Sequence, residues 1–268
     1  MLTFEKAASR LDEIIRDSPN AKDRDYYAVH RDRFRRAALR FTELKKPPAR
    51  ILDVGSHYLH FGAFLALLGY EVHAMDVPVF CEMDFVRKRA ADLGITLLPC
   101  ERIDRGDFAP GGEDRFDAVN FCEIMEHITF NPVLFWKRIY GLLAPGGIIY
   151  ITTPNSLRVI NLFHAVKEAL LLRGVGTDLR SILLEVTYGH HWKEYSASEI
   201  RRYFAALSPD FRVEIRPYRY RTAEAGGPSL RKLLKKLAAP SVIFCEELEA
   251  VVSLPSKTAW LLSSPNYS

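Results

Sequence analysis

Two groups of side chains in this sequence could carry out acid–base or metal chemistry. The first group is Glu123, Glu126 and His127, which directly follow an apolar stretch at 116–121. If that stretch is a strand of a parallel sheet, its carboxyl end is where such sheets bind their ligands. The second group is a pair of histidines at positions 190 and 191. Carboxylates and imidazoles could together hold a divalent cation, or an imidazole could act as a general base.

Both groups also have simple structural interpretations. Acidic residues are favourable at a helix N-terminus, so Glu123 and Glu126 could be no more than a helix start. The two neighbouring histidines could be ordinary polar residues of a loop, and we interpret His60, His73 and His164 as structural. Which interpretation holds therefore depends on the structural elements that position these residues.

The stretch from Arg50 to Asp76 is the element that would position such a site. It predicts a short strand over 51–54, a turn at Gly55, a helix over 61–68 and a second strand that leads to Asp76. Strand, turn, helix and strand within about 30 residues form the unit of a parallel doubly wound sheet. An acid after the second strand can accept hydrogen bonds from ribose hydroxyls. The layout therefore predicts a site for a cofactor that contains a nucleoside.

The loop after the first strand indicates which cofactor this is. A dinucleotide would require glycines where this loop has bulky side chains. The loop resembles motif I of class I S-adenosylmethionine (SAM) methyltransferases, Asp-x-Gly-x-Gly-x-Gly: Asp53 and Gly55 match it, whereas His57 and Leu59 replace two usual glycines. The cofactor residues that the resemblance implies are Asp53, Gly55, Ser56, His57, Asp76, Val77, Glu101, Cys122 and Glu123. Asp104 is an alternative to Glu101, and we interpret His57 as shaping the loop rather than as catalytic.

The order of elements farther along the chain also resembles this family. The predicted elements are a helix over 82–93, strands over 95–99, 116–121 and 148–152, a turn over 143–147, a helix over 132–142 and two final strands over 211–216 and 248–254. The resemblance implies an α/β fold with a doubly wound, mostly parallel, seven-stranded sheet of the Rossmann-like methyltransferase type. Ser196 and Glu199 form a capping-box pattern, which predicts the start of a helix.

The resemblance also suggests how the chain is divided. Residues 1–48 are predicted to form two helices that act as an N-terminal helical lid. Residues 49–268 are predicted to form the methyltransferase domain. Within it, residues 156–189 are predicted to be a helical insert over the acceptor site.

The pattern Glu-x-x-Glu-His, followed much later by His-x-x-x-Tyr-Ser-x-x-Glu, resembles two groups of methyltransferases. These are the ubiquinone-biosynthesis O-methyltransferases and the small-RNA terminal 2′-O-methyltransferases, and in the second group the pattern binds a divalent metal. Carried over by position, the metal ligands would be Glu123, Glu126, His127 and His191, with His190 as a competitor of His191. Such mixed ligands suit Mg²⁺, Mn²⁺, Fe²⁺ or Zn²⁺.

The same resemblance implies how the reaction would be catalysed. A metal held there would lower the pKa of an acceptor hydroxyl and orient it, so that Glu126, His127 and His191 would be the catalytic residues. Without a metal, His127 or His191 would be the candidate general base, because an imidazole titrates near neutral pH.

The composition fits a folded enzyme domain. The chain has 268 residues, of which 48% are hydrophobic and 26% charged, enough for a sizeable core. Its net charge of +4 permits a polyanionic or membrane-surface partner without requiring one. The four cysteines are scattered, so we expect reduced thiols and a cytoplasmic location. We expect neither a signal peptide nor a membrane-spanning segment.

The sequence therefore predicts a SAM-dependent O-methyltransferase with a small-molecule, saccharide or lipid-linked acceptor. RNA is an alternative acceptor, but aromatic and basic residues do not interleave as a stacking groove requires, so nucleic acid is not favoured. A non-catalytic partner protein with the same fold is a further alternative, which the altered loop at His57 and Leu59 favours. The basic, leucine-rich segment 230–237 suggests a peripheral membrane contact. The sequence predicts no oligomeric state.

Overall fold

The protein is described here by a computed structural model, which covers residues 2–106, 108, 115–172, 176, 179–184, 189–219 and 236–262. The helices are α1 (Phe4–Arg16), α2 (Ala21–Leu44), α3 (His60–Leu67), α4 (Pro78–Cys81), α5 (Asp84–Leu93), α6 (Val133–Leu142), α7 (Val159–Leu170), α8 (Leu179–Leu184) and α9 (Ala197–Leu207). The strands are β1 (Arg50–Val54), β2 (Glu71–Asp76), β3 (Thr96–Pro99), β4 (Phe116–Cys122), β5 (Leu143–Pro154), β6 (Arg212–Tyr218) and β7 (Glu247–Leu254). In this part of the chain, no helix has both the length and the apolar character needed to cross a membrane.

The seven strands form one sheet in the order β3-β2-β1-β4-β5-β7-β6. Strand β1 pairs in parallel with both β2 and β4, and β2 pairs in parallel with β3. Strands β6 and β7, the two final strands, pair in antiparallel fashion. The buried run Ile51–Val54 is typical of a parallel strand covered on both faces. The predicted doubly wound, mostly parallel α/β sheet is confirmed.

The chain divides into two compact units. Unit 1 contains residues 1–120 and 137–148, and unit 2 contains residues 121–136 and 149–268. Strands β4 and β5 and helix α6 each contribute residues to both units. The division into a lid and a methyltransferase domain at residue 48 stays a prediction. Parts of the predicted insert (173–175, 177–178 and 185–188) and most of the basic segment 230–237 lie outside the described residues.

In unit 1, the N-terminal helices pack against the helix that follows β1. Helix α1 buries one face, formed by Ala7, Ala8, Leu11 and Ile15, at the spacing of an amphipathic helix. Asn20 caps α2, since its side-chain oxygen accepts hydrogen bonds from the backbone N–H groups of Lys22 and Asp23. Both α1 and α2 contact α3. The N-terminal helices are therefore part of the packing around the β1–α3 connection.

In unit 2, aromatic side chains fill the core beside α9. Trp136 is fully buried, donates its ring N–H to the Tyr203 hydroxyl at 2.7 Å and contacts the Phe204 ring at 5.1 Å. The predicted capping box is present: Ser196 accepts from the Glu199 backbone N–H, and the Glu199 carboxylate accepts from the Ser196 N–H at 2.9 Å. These contacts fix where α9 begins and which face it buries.

The helix predicted over 82–93 is present as α5 (Asp84–Leu93), which begins two residues later, and the short helix α4 precedes it. One local prediction needs correction. The turn predicted over 143–147 lies inside β5. There Gly146 has φ of 77°, and a Cβ on Gly147 would lie 2.7 Å from the Ala144 carbonyl oxygen. The two glycines thus allow a local distortion of the strand rather than a turn before it.

We expect Ser196→Ala to lower the free energy of unfolding by about 1 kcal/mol, because it leaves the first turn of α9 without its side-chain cap. Chemical denaturation monitored by circular dichroism measures this change. Ser253→Ala is the matched control, since its hydroxyl makes only a 3.4 Å contact with the Arg212 carbonyl. Equal effects of the two substitutions would contradict a capping role for Ser196.

Candidate active site

The loop between β1 and α3 has three residues with positive φ, and two of them are not glycine. Gly55, His57 and Leu59 all have positive φ, at 73°, 47° and 63°. For residues with a Cβ this region costs roughly 1–2 kcal/mol each. Such residues persist only where the surrounding structure holds them in place. His57 and Leu59 therefore adopt backbone conformations that glycine would adopt at lower cost.

Asp76, the last residue of β2, contacts this loop through its carboxylate. One carboxylate oxygen accepts the His57 backbone N–H at 2.6 Å, and the other accepts the Val77 N–H at 2.7 Å. Burial raises the pKa of Asp76 even though these two hydrogen bonds lower it. Each carboxylate oxygen has a second lone pair, so the group can still accept hydrogen bonds from hydroxyls.

Asp53, by contrast, is buried in β1 with an exposed fraction of 1%. It accepts a hydrogen bond from the Asn120 side-chain amide at 2.6 Å. Burial and the neighbouring charge of Asp76 raise its pKa to about 7, although the hydrogen bonds from Asn120 and the Gly62 N–H lower it. A Cβ on Gly62 would lie 3.0 Å from the second Asp53 oxygen. Asp53 is thus enclosed by groups of unit 1, with Asn120 of β4 and Gly62 of α3 beside its carboxylate.

The imidazole of His57 is packed among aromatic rings. Its ring centroid lies 4.6 Å from that of Tyr26, 3.8 Å from Tyr58 and 4.5 Å from Phe80. Burial, with a smaller effect of nearby His60, lowers the pKa of His57 to about 4. A neutral ring in aromatic surroundings is the environment of a packing residue.

The other predicted cofactor residues lie near the ends of strands. Ser56 is buried in the loop, Val77 follows β2, Cys122 is half-buried at the end of β4, and Glu101 is exposed after β3. Asp104, the alternative to Glu101, accepts hydrogen bonds from the Arg102 guanidinium at 2.7 and 2.9 Å. Of the two acids, Glu101 is therefore the one whose side chain is exposed to solvent.

Glu126 is one of the candidate metal ligands, which lie in unit 2. A short 3₁₀ helix (Met125–His127) follows β4 and carries Glu126 into a fully buried position. One Glu126 oxygen accepts the Thr153 hydroxyl at 2.9 Å, and Oε1 has no hydrogen-bond partner among the described residues. Burial, together with the charge of Glu123, raises the pKa of Glu126. A buried carboxylate with an unmatched oxygen is costly unless it meets a cation or a donor.

The two histidines of this group are each oriented through Nδ1. The His127 Nδ1 donates to the backbone carbonyl of His190 at 2.9 Å, so Nε2 is the nitrogen that can accept or coordinate. His191 Nδ1 lies 3.1 Å from a carboxylate oxygen of Glu194. The two imidazole centroids are 4.8 Å apart. Metal-ligating histidines commonly have one ring nitrogen hydrogen-bonded in this way.

Three of the four predicted metal ligands come together. Candidate ligand atoms of Glu126, His127 and His191 all lie within 4.8 Å of one another. Among the described residues this group does not include Glu123, whose Oε1 accepts the Thr152 hydroxyl at 2.7 Å and whose backbone has φ of 56°. Of the two adjacent histidines, His191 joins the group. His190 is buried, and its backbone carbonyl accepts the hydrogen bond from His127.

Glu194 is a part of the site that the sequence analysis did not single out. Its carboxylate accepts from the Arg158 guanidinium at 2.7 Å and from the Asn161 amide at 2.6 Å. Burial raises the pKa of Glu194, but the hydrogen bond with His191 and the charge of Arg158 outweigh it and lower the pKa overall. Glu194 is therefore an ionised group that orients His191. Its three-residue separation from His191 was the only signal in the sequence.

Comparison with known proteins is in line with the sheet order and the loop after β1. The strand order and the β1–α3 loop define a class I SAM-dependent methyltransferase fold. A family model described as a methyltransferase domain matches residues 26–207, which is more than half of the chain. The chain belongs to this methyltransferase family. The comparison with curated proteins gives no match.

Solved structures with the same fold cover nearly the whole chain at low sequence identity. A Haloferax volcanii protein in complex with a methyltransferase activator has a TM-score of 0.53 at 16% identity, covering 87% of this chain and 97% of that one. A SAM-dependent methyltransferase of Thermotoga maritima has a TM-score of 0.51 at 14% identity, covering 92% of this chain and 100% of that one. The plantazolicin methyltransferase BamL, solved with a triazolic desmethylPZN analogue and SAH, has a TM-score of 0.53 at 10% identity, covering 94% of this chain and 97% of that one. At these identities the similarity establishes the fold alone.

We expect Asp53→Asn to change how stability depends on pH. The folded-state pKa of Asp53 is about 7, above its usual value of 3.8, so its contribution to stability is fully present below pH 3.8 and is lost as pH rises through about 7. Urea unfolding between pH 4 and 8 should therefore give a stability difference, variant minus wild type, that grows with pH by up to about 1.4 kcal/mol per unit and levels off above 7. Asp25→Asn, at an exposed position of α2, is the control and should follow wild type. A pH-independent difference for Asp53→Asn would contradict this assignment.

Proposed function

We propose that this methyltransferase transfers the methyl group of SAM to a hydroxyl of a small-molecule, saccharide or lipid-linked acceptor, and that a divalent metal assists the transfer. The observation that carries the proposal is the group formed by Glu126, His127 and His191, whose ligand atoms lie within 4.8 Å. Both imidazoles in this group are oriented by hydrogen bonds at Nδ1. Such an arrangement is unusual for polar residues that serve only packing.

The cofactor would be held by unit 1. In this proposal Asp76 accepts hydrogen bonds from the ribose hydroxyls, while Gly55 and Ser56 line the cofactor with the loop backbone and Val77 contacts it beyond β2. The predicted role of Glu101 on the adenine side belongs to the same proposal, whereas the roles predicted for Cys122 and Glu123, which lie in unit 2, stay predictions from the sequence. Asp53 has no direct contact with the cofactor in this proposal, because its carboxylate is enclosed.

The donor set of unit 2 fits a divalent cation. Two imidazoles and one carboxylate are the ligands of catalytic zinc sites and of non-haem iron sites with open positions. Glu126 Oε1 is buried without a hydrogen-bond partner among the described residues, and a cation would offset the cost of that buried charge. With two nitrogen ligands, Zn²⁺, Fe²⁺ or Mn²⁺ fits better than Mg²⁺, which prefers oxygen. A bound metal would supply Lewis-acid activation of the acceptor hydroxyl.

The chain's own residues would do the remaining work by positioning. Glu194 holds the imidazole of His191 in one orientation and tautomer, and the His190 carbonyl does the same for His127. A hydroxyl held in one orientation would lose less freedom on the way to methyl transfer, and correct orientation of two reactants contributes several kcal/mol.

A second mechanism rests on the contact between Glu194 and His191. A carboxylate that orients an imidazole is the usual arrangement for a general base, so His191 could take the acceptor proton without any metal. Both mechanisms use His191 and Glu194, and they differ in whether a cation binds together with Glu126 and His127.

We expect wild-type protein to bind SAM in calorimetric titration and Asp76→Asn to raise the Kd at least tenfold. The substitution removes a charged acceptor, and hydrogen bonds to charged groups contribute about 1.5–3 kcal/mol. Asp92→Asn is the control, since Asp92 is exposed and pairs only with Lys88 on the same helix. A folded wild-type protein that does not bind SAM would favour the non-catalytic alternative.

For the metal, we expect Zn²⁺ or Mn²⁺ alone to bind the wild-type protein in calorimetry, and His191→Ala to abolish this binding. Glu194→Gln should weaken it 10–100-fold, because it disturbs the orientation of His191 rather than a ligand atom. His164→Ala, at an exposed position of α7, is the matched control. Glu123→Gln tests the fourth predicted ligand and should leave the affinity within a few-fold of wild type.

Binding that persists in His191→Ala would contradict the metal proposal. SAM binding without any metal signal would favour His191 as a general base. In either case, screening diol, catechol and saccharide acceptors against the wild type identifies the acceptor class.

A further inference from the structure

A buried ion pair connects the N-terminal helix α2 to the loop after β1. Asp23 on α2 and Arg89 on α5 have side chains that are 0% and 4% exposed. The guanidinium nitrogens of Arg89 donate to the two Asp23 oxygens at 3.2 and 2.6 Å. His60, at the start of α3, lies 2.6 Å from the same carboxylate. Three charged or polar side chains from three helices therefore meet in the interior of unit 1.

This network also reaches the loop backbone. Arg89 donates a further hydrogen bond to the carbonyl of Tyr58, the residue between His57 and Leu59. The residue before Tyr58, His57, donates its backbone N–H to the Asp76 carboxylate at 2.6 Å. The Tyr26 ring of α2 packs on His57 at 4.6 Å. The part of the loop without glycine is thus held by contacts from β2, from α5 and from α2.

The charges in the network are arranged to remain ionised. Burial works against ionisation of Asp23, but hydrogen bonds from His60 and Arg89 outweigh it and keep the pKa of Asp23 below its usual value. A buried Arg–carboxylate pair contributes little net stability compared with apolar packing, whereas it fixes geometry strictly. The useful property of this pair is therefore the position that it imposes on the Tyr58 carbonyl.

We propose that Asp23 and Arg89 are positioning residues for SAM: they hold the loop at His57, Tyr58 and Leu59 in the cofactor-binding conformation that glycines would otherwise make accessible. In this view α2 is a fixed part of the cofactor site. The proposal concerns the cofactor loop and does not depend on the nature of the acceptor or on a metal.

The test compares SAM affinity with stability in matched variants of the full chain. Arg89→Lys keeps the charge but cannot contact both Asp23 oxygens and the Tyr58 carbonyl at once. Leu11→Ala is the control, because it removes a fully buried side chain of α1 that belongs to the same unit and costs about 2–5 kcal/mol of stability. Calorimetry gives the Kd for SAM, and denaturant unfolding without SAM gives the stability of each variant.

We expect Arg89→Lys to raise the Kd for SAM at least tenfold, while Leu11→Ala leaves it within about twofold. Hydrogen exchange should show faster exchange of the backbone amides of residues 55–60 in Arg89→Lys and not in Leu11→Ala. A merely structural ion pair would change the stability of Arg89→Lys without these two effects.

Two further variants cover the case in which Arg89→Lys does not fold. Asp23→Asn/Arg89→Gln removes both charges at similar volume and should give the same loss of affinity. Tyr26→Leu leaves the ion pair intact, removes the ring on His57 and should give a smaller increase in Kd. Wild-type affinity in these variants, or equal losses in all of them and in Leu11→Ala, would overturn the proposal.

Discussion

The carboxylate of Asp23 is the constraint on which much of unit 1 depends. A charge that is fully removed from water must meet an opposite charge with good geometry, and Arg89 and His60 are the groups that do so. Once Arg89 is committed to Asp23, its remaining donor capacity fixes the Tyr58 carbonyl, and the loop conformation follows. The cost of positive φ at His57 and Leu59 is therefore offset by contacts outside the loop. A family feature that glycines provide locally is provided here by side chains that are distant in sequence.

Unit 2 uses a similar principle for a different purpose. Its histidines are oriented by groups behind them, a backbone carbonyl for His127 and the carboxylate of Glu194 for His191. Arg158 and Asn161 in turn hold Glu194, so the orientation of His191 depends on residues near and within α7. The candidate metal-ligating atoms are consequently held in position before any metal binds. Sites with this degree of preorganisation lose less entropy on binding.

The sequence predicted the fold because the local patterns agree with one another. The apolar run of β1, the acid at the end of β2 and the capping box of α9 can each be recognised from a few consecutive residues, and all three are present. Glu126, His127 and His191 were grouped only through the family resemblance, because His191 is distant in sequence, and their candidate ligand atoms lie within 4.8 Å of one another. What the sequence could not predict are pairs such as Asp23 with Arg89 or Asp53 with Asn120. They are 66 and 67 residues apart, and no local pattern distinguishes their partners from other charged or polar residues.

The separation between Asp23 and Arg89 has a consequence for how the protein folds. Contacts between residues distant in sequence form late, since the entropy of closing a long segment must be overcome first. The loop after β1 is made early in synthesis, but the side chain that fixes its carbonyl belongs to α5, which is made after β2. Competence to bind the cofactor is therefore acquired only when most of unit 1 has been synthesised, and a nascent chain that ends before α5 would have its cofactor loop without that support.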